Sequence, residues 1–189
     1  VGVNDHDIDL FEGQFAVPNG MAYNSYIILD KKIAVVDSVD KHFGEEWLLH
    51  IKDVLGDRKP DYLIVHHMEM DHSANIQKFA LAYPEAKIVS SKMAFSMMKN
   101  MFTTDFSDRS IVVSQDSVLE LGNHTLHFIA APNVHWPEVM MSYESEEKVL
   151  FLKSLSIIVS KICDPIERDI YLSRICSKYG ISKEAFGIS

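Results

Sequence analysis

Apolar and polar positions along this chain change period several times, and each change predicts an element. Residues 22–30 and 32–39 are aromatic- and β-branched-rich runs parted by the polar turn Asp30-Lys31, the pattern of two strands. Over residues 44–55 the apolar positions fall at Trp47, Leu48, Ile51, Val54 and Leu55, helical spacing that Gly56 stops. A strand at 62–65, a polar cluster at 66–73 and a helix over 75–83 follow, then a short strand at 87–90 and a Met-rich helix at 93–101. Strands return at 111–114, 118–121, 125–130, 139–143 and 149–151, with Gly122-Asn123 as a hairpin turn. Early strands, a βα middle and a β meander predict a layered α/β fold with buried central strands. One half of an αββα sandwich fits this order, as do other α/β arrangements.

Composition narrows the setting. The 189 residues suit one domain, and 47% hydrophobic with 24% charged residues is ordinary for a globular protein. The net charge of −9, with a pI near 5.4, argues against a nucleic-acid surface, which needs clustered Lys and Arg. The most apolar run, residues 149–159, is broken by Lys153 and is shorter than the roughly 20 residues a bilayer requires, so no membrane span is expected. The N-terminus lacks a basic region followed by an apolar stretch, which predicts no signal peptide. It also lacks an initiator Met, so the chain is expected to begin inside a longer protein. Two cysteines, Cys163 and Cys176, make neither a disulfide framework nor a zinc ribbon and fit a reduced, cytoplasmic setting.

The candidate chemistry lies in His66-His67-Met68-Glu69-Met70-Asp71-His72-Ser73-Ala74-Asn75. His67, Glu69, Asp71 and His72 are ligand-type residues within six positions. If the chain leaves its strand extended, His67, Glu69 and Asp71 share one side, and the next helix turns His72 inward. Such a strand-to-helix junction is a common ligand site in α/β folds. A bland alternative makes Asp71 or Ser73 the N-cap of that helix, and any single His a satisfied side chain. Four such groups after a buried strand favour a cation among them, because clustered polar groups are expensive to desolvate. His135, in a turn held between Pro132 and Pro137, supplies a further ligand from a facing loop, with Trp136 as core or pocket wall. Mixed imidazole and carboxylate donors suit iron or manganese, with zinc as an alternative.

The pattern His67-x-Glu69-x-Asp71-His72 resembles the flavodiiron protein (A-type flavoprotein) variant of the metallo-β-lactamase motif, whose hydrolases usually carry His in place of Glu69. Leu10-Phe11-Glu12-Gly13, Pro18-Asn19-Gly20, Tyr23-Asn24-Ser25-Tyr26, Asp71-His72-Ser73-Ala74-Asn75 and His135-Trp136-Pro137 extend the resemblance over residues 1–151. The resemblance implies a metallo-β-lactamase-like αββα sandwich. It implies that His67, Glu69 and His135 bind one iron, while Asp71 and His72 address a second. In some members the residue matching His72 stands near the metal without binding it. It further implies reduction of dioxygen to water or nitric oxide to nitrous oxide, with electrons from FMN in a separate flavodoxin-like domain. Head-to-tail homodimers, or larger homo-oligomers, and an electron-donating flavoprotein or rubredoxin-like partner belong to the same expectation.

The chain also departs from that family. Where the family places a turn with an iron-bridging Asp, this chain reads Leu152-Lys153-Ser154-Leu155, and no His follows His135. Asp164, Glu167, Asp169 and Glu184 stand in unmatched contexts, residues 171–180 resemble a family helix only faintly, and no flavodoxin-like domain is seen. Residues 1–151 are therefore expected to form a partial diiron domain. Residues 152–189 are expected to form a divergent helical tail, from truncation or a disrupted reading frame. A second iron without its bridging carboxylate should be held weakly. Two other readings stand beside the reductase: a non-catalytic metal-binding or oxygen-sensing remnant, and, more weakly, a metallo-hydrolase using metal-bound hydroxide.

Overall fold

The chain's β-branched runs become a sheet whose central strands are buried on both faces. The computed structural model describes residues 1–144, 159, 161–162, 164–179 and 183, which fall in two compact units, Val1–Ser142 and Tyr143–Ser189. In the first unit five strands line up in chain order: β5 (Tyr26–Ile28), β6 (Ala34–Val36), β7 (Tyr62–Ile64), β8 (Lys87–Ser91) and β9 (Ser110–Val113). β5 pairs antiparallel with β6, and all later pairs are parallel. The crossovers carry α1 (Gly44–Leu55), then α2 (Met70–Ser73) with α3 (Ile76–Ala82), then α4 (Lys92–Met101). Crossovers of one hand between successive neighbours put their helices on one face of a sheet.

Alternate strand residues separate two cores. Val35, Leu63, Val65 and Ile88 pack with Trp47, Ile51, Leu55, Ile76, Phe79, Ala94 and Met98 from the helices. Ala34, Val36, Tyr62, Ile64, Val89 and Val113 pack instead with Leu121, Leu126, Phe128 and Met140. Those last residues belong to or adjoin a three-stranded sheet of β10 (Val118–Glu120), β11 (Thr125–Ala130) and β12 (Met140–Glu144), of which residues 140–142 lie in this unit. The layers are thus helices, mixed sheet and smaller sheet, as the αββα expectation requires of its first half. No helix among the described residues is long and apolar enough to cross a membrane.

Two expectations need correction. Residues 22–30 do not form one strand, because the chain leaves one sheet for another at Asn24-Ser25. β4 (Met21–Tyr23) pairs with β1 (Val3–Asp5), while β5 belongs to the large sheet. The cause is Ser25, whose buried hydroxyl donates to the Asp37 carbonyl at 2.8 Å and accepts from Trp47 Nε1–H at 2.9 Å. The extended stretch after β7 also stops at Glu69, with ψ at 148°, and α2 begins at Met70. Alternation therefore relates His67 to Glu69 but does not reach Asp71. The hairpin of β2 (Leu10–Phe11) and β3 (Phe15–Ala16) is a further element that periodicity did not show.

In the second unit α5 (Pro165–Tyr179) starts at a capping arrangement, in which Asp164 Oδ1 accepts from the Glu167 amide at 2.8 Å. Cys176 is free and half-buried. The strand expected at 149–151, the divergent segment Leu152-Lys153-Ser154-Leu155, Cys163 and Glu184 lie outside the described residues.

Candidate metal centre

The carboxyl ends of the parallel strands carry the polar cluster. β6 ends at Val36, and the next residue, Asp37, is buried and adopts a left-handed conformation at φ 52°. Its Oδ1 accepts the His66 amide at 2.7 Å, and its Oδ2 lies 3.3 Å from His66 Nδ1 and 3.6 Å from His72 Nδ1. Burial pushes the Asp37 carboxyl up, but the His66 ring and the groups around it prevail and hold it well below the usual carboxylate range. Asp37 thus anchors the strand end from which the ligands depart.

His67, Glu69 and His135 converge. The His67 Nε2 and His135 Nε2 atoms lie 3.0 and 2.9 Å from the same carboxylate oxygen, Glu69 Oε2. One ligand atom from each falls within 4.8 Å of the others. His67 is buried, Glu69 is half-buried and His135 is exposed, so the trio opens on one side. Trp136 stands edge-on to the His67 ring at 5.1 Å and 90°, the wall expected of it. Burial raises the Glu69 pKa, but its side-chain contacts with His135, Glu12 and His67 outweigh it and bring it down to about 2. Glu12 comes from the β2–β3 turn at φ 51°, and its hydrogen bond with Glu69 pushes its own pKa up.

Asp71 and His72 lie beside the trio without joining it. The His72 and His67 ring centroids are 5.5 Å apart, and His72 Nε2 is 3.6 Å from Asp71 Oδ2. Proximity to Asp37 raises the His72 pKa, while burial raises that of Asp71, helped by the charge of Glu69. Asp71 Oδ1 and His72 Nδ1 are both buried without a hydrogen-bond partner. Neither Asp71 nor Ser73 caps a helix by its side chain, since Ser73 Oγ donates to the Met68 carbonyl at 2.8 Å.

Three neighbours of the site were not anticipated as such: Asp37, Glu12 and Glu138. Glu138 is buried under His67, whose Nδ1 is 2.7 Å from its Oε1. A sequence signal existed for it, a lone carboxylate in the apolar stretch 134–141, and for Asp37, a carboxylate ending a β-branched run.

Donor chemistry tests what the trio could hold. Two imidazole nitrogens and a carboxylate oxygen suit a divalent first-row metal, and the carboxylate favours iron or manganese. The partnerless buried Asp71 Oδ1 is an atom that a further cation would satisfy. The residues present therefore fit an iron site.

A family profile described as "ODP family beta lactamase" matches residues 21–166. Diflavin flavoprotein A 1 of Synechocystis sp. is 34% identical over 93% of this chain and 30% of its own length. A nitric oxide reductase of Moorella thermoacetica is 36% identical over 79% of this chain and 38% of its own. Among solved structures, rubredoxin oxygen:oxidoreductase from Desulfovibrio gigas superposes with a TM-score of 0.72 at 31% identity, covering 78% of this chain and 37% of that one. The flavodiiron protein of Giardia intestinalis gives 0.72 at 30% identity, over 78% and 36%. The chain thus spans about a third of the length of these relatives. From the motif, the layers and these matches together, the chain belongs to the ODP family of β-lactamase-like domains, the domain of flavodiiron proteins.

Proposed function

We propose that this chain is the iron-binding part of a flavodiiron-type oxidoreductase that reduces dioxygen to water, nitric oxide to nitrous oxide, or both. Electrons come from FMN on another domain or on an electron-donating flavoprotein or rubredoxin-like partner. His67, Glu69 and His135 hold one iron, and Asp71 with His72 serve a second. Residues 1–151 form the diiron domain and 152–189 the divergent tail. A homodimer or larger homo-oligomer in the cytoplasm completes the proposal.

The observation that carries this reading is the convergence of two imidazole nitrogens on Glu69 Oε2, at 3.0 and 2.9 Å. Iron bound there supplies one-electron chemistry toward small diatomic molecules. The protein's own groups do the rest. Asp37 fixes the strand end, Trp136 closes one side of His67, and exposed His135 leaves the other side open to a small substrate. Glu12 is hydrogen-bonded to Glu69, a contact that raises the Glu12 pKa.

The test is anaerobic loading with ferrous iron, a metal count per chain, and then oxygen or nitric oxide consumption with reduced FMN supplied. Sustained consumption is expected. A second reading, a non-catalytic metal binder or oxygen sensor, rests on the gathering of only three ligand residues among those described. Tight iron binding with no repeated turnover would establish it in place of the reductase.

A further inference from the structure

Glu138 is fully buried, with 0% of its side chain exposed. Its Oε1 lies 2.7 Å from His67 Nδ1 and accepts a hydrogen bond from the Met68 amide at 3.0 Å. Its Oε2 is buried with no hydrogen-bond partner. Burying a carboxylate is costly, and a neutral acceptor would satisfy the Met68 amide alone. The charge is explained by the imidazole. An ionised carboxylate only accepts, so His67 Nδ1 must donate, which leaves Nε2 on the other side of the ring, 3.0 Å from Glu69 Oε2. Trp136, edge-on to the same ring, opposes its rotation.

The loop that carries Glu138 also carries His135. It is closed by the Ala131 amide bonding the Val139 carbonyl at 2.9 Å, and docked by the Met140 amide bonding the His66 carbonyl at 3.1 Å. Ser91 Oγ, which caps α4, donates to the Glu138 carbonyl at 3.2 Å. Ligand and brace therefore arrive on one tethered segment.

We propose that Glu138 is a positioning residue for the metal centre: it holds His67 as the Nδ1–H form, with Nε2 turned to be the ligand atom. Its effect on metal affinity rests on the reading of His67, Glu69 and His135 as a metal site; its effect on the ring does not. Carboxylate partners of this kind orient a ligating imidazole and strengthen it as a donor.

The experiment compares the full chain with Glu138→Gln and Glu138→Ala by two readouts. The first is ferrous iron affinity, with cobalt as a spectroscopic substitute. Glu138→Ala is expected to weaken binding by about 10- to 100-fold, and Glu138→Gln, which keeps an acceptor oxygen but not the charge, by less. The second is 15N NMR of the His67 ring in the metal-free chain at alkaline pH. It is expected to show the proton on Nδ1 in the wild type and in Glu138→Gln, and a shift toward Nε2 in Glu138→Ala. Unchanged affinity in both variants, or a wild-type proton on Nε2, would overturn the proposal. If the wild type binds no iron but shows the expected ring states, the metal-site reading fails and the positioning role stands. If Glu138→Ala does not fold, Glu138→Gln decides, and binding equal to wild type overturns the proposal.

Discussion

A Cβ placed on Gly44 would collide with Asn75 Oδ1. The Asn75 amide occupies the room that glycine leaves, donating to the Val39 and Asp40 carbonyls at 2.8 and 2.9 Å. Ser38 closes the same junction, its amide and hydroxyl both bonding the His72 carbonyl at 2.8 Å. The ligand-bearing segment is thus fastened to the end of β6 by residues that are not ligands. Gly44→Ala must displace Asn75, and Asn75→Ala leaves two carbonyls short of donors. Each should lower stability by about 2 kcal/mol. The double variant should lose less than the sum, because alanine at 75 removes the atom that alanine at 44 strikes. Urea unfolding of the four proteins measures this, and strict additivity would contradict the contact.

Alanine at His67, Glu69 or His135 removes a converging donor atom. Ferrous affinity should fall by more than the roughly 10- to 100-fold typical of losing a group behind a ligand. Glu45→Ala, which breaks an exposed pair with Lys78, should change nothing. Metal titration of each variant gives the comparison. Equal affinity for Glu69→Ala and the wild type would remove the trio as the binding site.

Asp71 poses a conflict between stability and binding. Its Oδ1 is buried without a partner, and burial raises its pKa, so its charge weakens the metal-free fold at neutral pH. Asp71→Asn keeps the shape without the charge. The metal-free variant should be more stable by on the order of 1 kcal/mol, while ferrous iron should stabilise it less than the wild type. Melting curves with and without iron read both effects. A lower metal-free melting temperature would show that the charge is already compensated.

Asp30 gives the fold an acid-sensitive clip. Its carboxylate accepts the Lys31 amide at 2.7 Å, the Asn123 and His124 amides at 2.6 Å each, and His124 Nδ1 at 2.9 Å, joining the β5–β6 turn to the β10–β11 turn. The His124 amide, with the other donors, holds its pKa well below the ordinary 3.8. A carboxylate depressed on folding stabilises fully above its unfolded pKa and loses that contribution as pH falls below it. Asp30→Asn should therefore melt below the wild type at pH 7, with the gap narrowing as the medium is taken below pH 3.8. A gap independent of pH would mean that the charge is not what the clip uses.

Much of this was legible in the sequence because its causes are local. Trp47, Ile51 and Leu55 mark the buried face of α1, and Gly56, at φ 59°, ends it where expected. His67 and Glu69 share a side because the backbone stays extended through Glu69. The misreadings have distant causes. The break at Ser25 is set by Asp37 and Trp47, and nothing in residues 22–30 announces it. Asp71 looked like the next member of an alternating series, but α2 had already begun. Glu138 braces a residue 71 positions away, a relation that periodicity does not contain.

That last separation bears on how the centre comes into being. His67 and Glu69 are neighbours even in an unfolded chain, whereas His135 is 66 positions from Glu69. Closing a loop of that length is an entropic debt met only when the tethered segment docks. A nascent or partly unfolded chain holds two of the three donors and not the third. Metal capture is then a report on long-range closure, and the cation, once bound, becomes a latch against reopening it.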